Sequence, residues 1–294
     1  MNNVLFIYNP NSGKRVISSQ LDKLIGIFTE AGMIPTIARI GGADDNSRVH
    51  DLIASKRFDG VIVAGGDGSV NTIIKTVIET GVDIPVGIIP TGTCNDFSRS
   101  LGMPNDIIRC ARLIAQKNVI RTDIGIINGG DSIFVNELGG GVLATVSFST
   151  DQNLKKVFGP LAYYLNGIGE LANMKPFELS VKTPEKEYVE QALVFAILNG
   201  TDMSGFSNVI RDAQMQDGMM DILIFKDAKP LEITDSLLKF VSGGEFKKEN
   251  VVRIRTSKCT INCEGGISTT VDGERGPGFP ITIEMQKQAV QIYC

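Results

Sequence analysis

No run of about 18 apolar residues, the length a membrane-crossing helix requires, occurs in the sequence, so no segment is read as spanning a bilayer. An excess of basic residues is also missing: 29 Lys and Arg stand against 33 Asp and Glu, for a net charge of −4. A nucleic-acid footprint would normally be basic, and none is expected. The same balance gives no bulk attraction to anionic lipid, so any membrane contact is expected to be local and transient. The N-terminus MNNVLFIYNP lacks the basic region and long apolar stretch of a signal peptide. The five cysteines are too few and too scattered for a disulfide framework, which makes the cytoplasm the expected compartment. Cys259 and Cys263 have no second ligand pair and read as small buried residues rather than a metal site. The single histidine, His50, lies in an expected helix and takes a surface or packing role.

Several phosphate motifs are missing too. Gly13-Lys14-Arg15 lacks the upstream glycine and the hydroxyl of a Walker A loop. Gly66-Asp67-Gly68 runs on to Asn71 instead of the third glycine of a dinucleotide fingerprint, and H-R-D and D-F-G are not found.

What is present suits a globular protein of two domains: 294 residues, 43% hydrophobic and 21% charged. In the first half, apolar runs without alternation (residues 4–8, 60–64 and 85–89) are separated by helical spacings (17–31, 45–57, 69–79, 106–116). That rhythm marks a parallel sheet covered on both faces. After about residue 120, short alternating strands dominate, interrupted by expected helices at 155–174 and 230–242. The expected fold is therefore α/β: an N-terminal doubly wound parallel-sheet nucleotide-binding domain (1–128), then a mainly antiparallel β-sandwich domain (129–294). A cleft between them is the default place for a site.

The strand Val61–Ala64 runs into Gly65-Gly66-Asp67-Gly68, with a helix expected to start at Ser69 or Val70. Ligands of open parallel sheets sit beyond strand carboxyl ends, where helix N-termini point N–H groups outward and glycine lets the backbone approach an anion. An Asp inside such a turn is repulsive unless a cation intervenes, so Asp67 suggests Mg²⁺. A second glycine turn, Pro90-Thr91-Gly92-Thr93-Cys94-Asn95-Asp96-Phe97, follows the next strand, and the turn Asn9-Pro10-Asn11-Ser12-Gly13-Lys14 follows the first.

In order and spacing, Asn9-Pro10-x-Ser12-Gly13, Gly65-Gly66-Asp67-Gly68-Ser69-x-Asn71 and Pro90-x-Gly92-Thr93-x-Asn95-Asp96-Phe97 resemble the diacylglycerol kinase catalytic family, specifically its soluble bacterial lipid kinases. The likeness continues through Thr122–Gly125, Phe134–Asn136, Gly159–Tyr164, Asp217–Asp221 and Asp272–Glu274, so nearly the whole chain is covered. It implies ATP contacts at Asn9, Pro10, Asn11, Ser12, Gly13, Gly65, Gly66, Asp67, Gly68, Ser69, Val70, Asn71 and Thr93. It also implies a structural Mg²⁺ held by Asp217 and the backbone oxygens of Gln214 and Met219, and a water–Mg²⁺ network at Asp67, Asp96 and Asp123. Ser69 for the usual Thr keeps a hydroxyl; Thr72 for Glu and Ile40 for Thr leave the finer nucleotide contacts open.

Phosphoryl transfer needs positioning, charge neutralisation and removal of the acceptor's proton. Asp272 and Glu274 are the candidate bases, since side chains at i and i+2 share one side of an extended strand. From the residues alone, an exposed hairpin turn before Arg275-Gly276-Pro277-Gly278 competes with that reading. The expected activity is ATP-dependent phosphorylation of a diacylglycerol-type hydroxyl. Another acceptor (a different lipid, an NAD-type or a sugar substrate) and an inactive nucleotide- or lipid-binding regulator stand as alternatives. The lipid partner is expected at a membrane surface, the apolar face of helix 155–174 either seats an acyl chain or packs on the sandwich, and pairing into a homodimer is left open.

Overall fold

In the computed structural model of the chain, the residues described are 2–10, 16–41, 45–141, 175–228 and 249–294, with Glu232, Asp235, Ser236, Lys239 and Gly244. The expected helix at 155–174 and Asn11, Ser12, Gly13 and Lys14 lie outside them, as does most of 230–242. The chain forms two compact units, Met1–Thr122 with Gln288–Cys294, and Asp123–Lys287. No helix among the described residues is long and apolar enough to cross a membrane.

The first unit alternates strand and helix: β1 (Asn2–Tyr8), α1 (Val16–Glu30), β2 (Met33–Arg39), α2 (Asp45–Ala54), β3 (Gly60–Gly65), α3 (Asp67–Glu79), β4 (Val86–Pro90), α4 (Asp96–Ser100) and α5 (Ile107–Ala115). The sheet order is β4-β3-β1-β2 and every pairing is parallel. β3 and β4 are buried along their whole length, which is why their sequences are continuous apolar runs, whereas the edge strand β2 buries only Met33 and Ala38. Helices cover both faces. α1 and α5 pack together over Val4, Phe6, Ile62 and Ile89, through Ile17, Leu24 and Phe28 on one helix and Cys110, Ala111 and Ile114 on the other. α2 meets α3, which buries Val70, Ile73, Ile74 and Val77 at helical spacing.

The second unit is antiparallel. Its strands are β5 (Val119–Ile127, shared with the first unit), β6 (Ser132–Phe134), β7 (Glu137–Gly141), β8 (Phe177–Lys182), β9 (Glu187–Leu198), β10 (Met220–Lys226), β11 (Val251–Thr256), β12 (Lys258–Cys263), β13 (Thr269–Val271), β14 (Glu274–Arg275) and β15 (Ile281–Tyr293). β9 holds β8 along its first half and β7 along its second, with β10 on the opposite edge. One layer runs β11-β10-β9-β7-β13-β14, the other β8-β12-β15-β5-β6. Phe134, Leu138, Phe195, Ile197 and Ile222 meet Val181, Ile261, Ile281 and Ile283 in the core of this sandwich. Cys259 and Cys263 face that core as small buried residues. A second cluster, with Leu193, Ala196, Leu198, Leu223 and Phe225, covers the other face under Met203, Val209 and Ile210.

Two expectations change. Residues 280–284 and 288–293, read as separate strands, are one 13-residue strand, β15, in which Gln288 sits at φ 52. From Gln288 onward the chain belongs to the first unit: Ile292 pairs in parallel with Val86 beside β4, and Tyr293 is buried against Gly60.

Candidate active site

The first glycine turn follows β3, with strands on both sides of it. α3 starts at Asp67, two residues earlier than the sequence pattern indicates, with Gly66 as an extended N-cap (φ −90, ψ −177) and no side chain capping the free N–H groups. At every helix start the first N–H groups have no intrahelical acceptor. Here they belong to Asp67, whose N–H its own carboxylate engages, and to Gly68 and Ser69, and the ladder begins with Val70 N–H donating to Gly66 O at 3.1 Å. A methyl on Gly68 would meet nothing within 4 Å, so neither packing nor backbone strain demands glycine there. Its missing side chain leaves open space beside the free N–H groups, the arrangement that admits an anion.

The second turn is stacked on the first. Thr91 N–H donates to Gly65 O at 2.9 Å, and Asn95 N–H donates to Asp67 Oδ2 at 2.7 Å. Asn95 takes a left-handed conformation (φ 55) and closes the turn by accepting from Gly92 N–H at 2.8 Å and donating to Gly92 O at 3.0 Å. The backbones touch: a Cβ on Gly92 would lie 2.6 Å from Gly66 Cα, and one on Gly65 would lie 2.5 Å from Ser69 Cβ. Gly66 and Gly92 are therefore demanded by the close approach of the turns, Gly65 by the Ser69 side chain, and Gly68 by none of it.

Asp67 thus ties one turn to the other. Burial pushes its carboxyl above the ordinary range, while N–H groups of Asn95, Phe97 and Asp67 itself and the charge of Arg99 pull the other way. Asp96 is buried and paired with Arg99, which also donates to Cys94 O at 2.6 Å. Thr93 is exposed. Asn9 lies beside the turns, its N–H donating to Ala64 O at 3.1 Å, with Pro10 next in the chain. Thr72 spends its hydroxyl inside α3, donating to Gly68 O at 2.9 Å, and Ile40 N–H donates to Tyr8 O at 2.9 Å. The fold thus brings Asn9, Gly65–Asn71, Thr93 and Asp96 to one end of the parallel sheet.

The remaining candidates belong to the second unit. Asp123 is fully buried; its N–H donates to Met215 O at 2.7 Å and its Oδ2 accepts from Gly218 N–H at 2.6 Å. It clamps the turn that carries Asp217, whose Oδ1 accepts from Met219 N–H at 2.9 Å and whose Oδ2 pairs with Arg255. The carbonyl oxygens of Gln214 and Met219 accept no hydrogen bond from any described residue. One carboxylate and two available carbonyls form an oxygen set that fits a hydrated Mg²⁺, which would compete with Arg255 for Asp217. No group of three or more His, Cys, Asp or Glu suited to a metal exists among the described residues.

Asp272 and Gly273 are not extended. Both have positive φ (46 and 86) and form the two-residue turn between β13 and β14, with Val271 opposite Glu274. The two carboxylates therefore do not line one strand face. Asp272 accepts from the backbone N–H groups of Val135 (2.7 Å), Asn136 (2.9 Å) and Glu137 (2.8 Å), and its own N–H donates to Glu137 O at 2.9 Å. Glu274 is exposed, and among the described residues its carboxylate meets no partner. Sequence reasoning missed Glu137, which accepts from Ser204 N–H and Oγ–H, both at 3.1 Å, and Asn199, which joins the Asp123 and Val135 carbonyls. The one signal for Asn199 is a polar residue closing the long apolar run of β9.

Comparisons with known proteins agree along the chain. Residues 3–127 match the diacylglycerol kinase catalytic domain, and residues 137–294 match the YegS C-terminal NAD kinase beta sandwich-like domain. The chain is similar to a diacylglycerol kinase of Staphylococcus saprophyticus, 30% identical over 288 residues that cover 98% of this chain and 93% of the relative. It is also similar to one of Bacillus subtilis, 29% identical over 281 residues, 95% and 92% of the two chains. A solved chain from Bacillus anthracis str. Sterne matches with a TM-score of 0.86 at 28% identity, over 99% of this chain and 95% of that one. A solved diacylglycerol kinase of the same organism shares the fold, with a TM-score of 0.79 at 23% identity over 99% and 96% of the two chains. The chain belongs to the diacylglycerol kinase catalytic family, a kinase family, with the α/β domain and β-sandwich domain that its sequence rhythm indicates.

Proposed function

We propose that the chain transfers the γ-phosphoryl group of ATP to the hydroxyl of a diacylglycerol, giving phosphatidic acid, in a Mg²⁺-dependent reaction at a membrane surface that it meets transiently. The observation that carries this reading is the uncapped start of α3, where Gly68 leaves open space beside free N–H groups at the end of a parallel strand. The curated relatives named diacylglycerol kinase support the acceptor.

The N–H groups of Gly68 and Ser69 would hold phosphate oxygens, with Asn9, Asp67, Val70, Asn71 and Thr93 around them and Asn11, Ser12 and Gly13 added by family resemblance. These donors are rigid before the nucleotide arrives, because the second turn is bonded to the first through Thr91 and Asn95. Preorganised donors stabilise developing charge without reorganising. Mg²⁺, when bound, neutralises phosphate charge; Asp67 and Asp96 fit a hydrated ion near the turns, and Asp217, Gln214 and Met219 fit a structural one.

The acceptor's proton needs a base. Asp272 has its oxygens committed to three backbone N–H groups, so we assign it to positioning the hairpin. Glu274, exposed and without a partner among the described residues, is assigned as general base, a role worth roughly 10²–10⁴-fold. Asp123 is assigned to clamping the Asp217 turn. The NAD kinase likeness of the sandwich domain supports a second reading, an NAD-type acceptor.

Labelled ATP offered with diacylglycerol, other lipids, NAD and sugars in parallel separates the readings. Labelled phosphatidic acid from diacylglycerol alone is the expected result. Labelling of NAD or a sugar with diacylglycerol blank would overturn the lipid assignment.

A further inference from the structure

Beneath the Asp272 hairpin, the start of β7 meets the end of β9 in a buried polar patch. Asn136 precedes β7, Asn199 follows β9, and Asn199 N–H donates to Asn136 O at 2.9 Å. The register that sets Glu137 opposite Leu198 continues to set Asn136 opposite Asn199. Opposed residues share a face, with Cβ atoms about 4.5–5.5 Å apart. The two are 6% and 1% exposed.

Each amide has one orientation. Asn199 Nδ2 donates to Asp123 O and Val135 O, both at 2.8 Å, and Asn136 Nδ2 donates to Asp202 O at 3.1 Å. Turning either amide over would set its oxygen against those carbonyls, so the donors decide the assignment. Asn136 Oδ1 and Asn199 Oδ1 are then left as buried acceptors to which no group among the described residues donates. A buried acceptor without a donor bears its full desolvation cost.

Two acceptors on facing residues call for a species that donates two hydrogens. A divalent cation would instead draw carboxylates inward. The carboxylates around the patch are turned to protein donors: Asp272 to the N–H groups of Val135, Asn136 and Glu137, Asp123 to Gly218 N–H, and Asp202 to Thr201 Oγ–H and Asn208 N–H. Asn136 is the middle residue of the segment Val135–Glu137, whose N–H groups grip Asp272, and Asn199 donates to the Val135 carbonyl of that segment. We propose that one buried water molecule bridges Asn136 Oδ1 and Asn199 Oδ1, donating a hydrogen to each, and so holds the segment that orients the Asp272 hairpin. The assignment is independent of which carboxylate serves as base.

A crystal structure of the full chain that resolves ordered solvent tests it. The expected result is one solvent peak about 2.7–3.0 Å from both amide oxygens. In solution, oxygen-17 relaxation dispersion should count one fewer long-lived internal water in Asn136→Leu than in the wild type. The proposal is overturned by an empty site, by a protein donor turned onto either oxygen, by density ringed by about six oxygens as around a cation, or by equal water counts in the two proteins. Should Asn136→Leu fail to fold, the wild-type crystal decides alone.

Discussion

Replacing Gly68 by alanine separates folding from ligand binding at a single atom. Gly68 lies in the first turn of α3, is exposed, and a methyl there would touch nothing within 4 Å. Glycine in a helix is less favourable than alanine by roughly 0.5–1 kcal/mol, so Gly68→Ala should stabilise the free protein by about that amount. With a urea slope of about 2 kcal/mol/M, the midpoint should rise by roughly 0.25–0.5 M. Cα–Cβ bonds tilt toward a helix N-terminus, so the same methyl would stand beside the N–H groups proposed to hold phosphate. Losing one such contact should cost at least about 1.4 kcal/mol, a tenfold rise in the Kd for ATP. Urea titration of the free protein and calorimetric titration with Mg·ATP read the two effects separately. A variant that is more stable and binds ATP unchanged would refute the phosphate assignment; a less stable one would refute the open space.

Other outcomes follow from the same geometry. Asp67→Asn keeps an oxygen for Asn95 N–H and removes a charge disfavoured by burial, so the free protein should be at least as stable as wild type at pH 7, with phosphoryl transfer reduced. Because burial raises the Asp67 pKa, the folded form holds its proton to higher pH than the unfolded chain. The wild type should therefore gain on Asp67→Asn as pH falls through the range just above the ordinary carboxylate value, measured by urea titration at several pH values. Asp272→Ala leaves three backbone N–H groups without their acceptor and should destabilise the protein by about 1–3 kcal/mol. Arg255→Ala removes the competitor at Asp217 and should enlarge the rise in Tm on adding Mg²⁺ without nucleotide, whereas Asp217→Ala should abolish it.

The parallel sheet was legible because β3 and β4 are buried on both faces, which forces continuous apolar runs. The turns were legible because backbone contact at Gly66 and Gly92 admits only glycine. The start of α3 was misjudged because Asp67, a common capping residue, enters the helix and spends its carboxylate on Asn95, 28 residues away. At Asp272 and Glu274 the residues alone favour a hairpin turn and the family resemblance an active-site strand; the turn forms, and there Asp272 finds three N–H groups from residues 135–137. The return of the last residues to the first unit rests on long-range contacts of Ile292 and Tyr293, which no local pattern announces. Asn136 and Asn199 likewise gain their meaning from each other, across two strands.

The chemical assignment is tested most directly by initial rates of phosphate transfer from labelled ATP to diacylglycerol in mixed micelles, for wild type and Glu274→Gln side by side. The wild type should form labelled phosphatidic acid, and the variant should lose about 10²–10⁴-fold in kcat with its urea midpoint unchanged. Full activity in Glu274→Gln, or no lipid product from the wild type, would contradict the account.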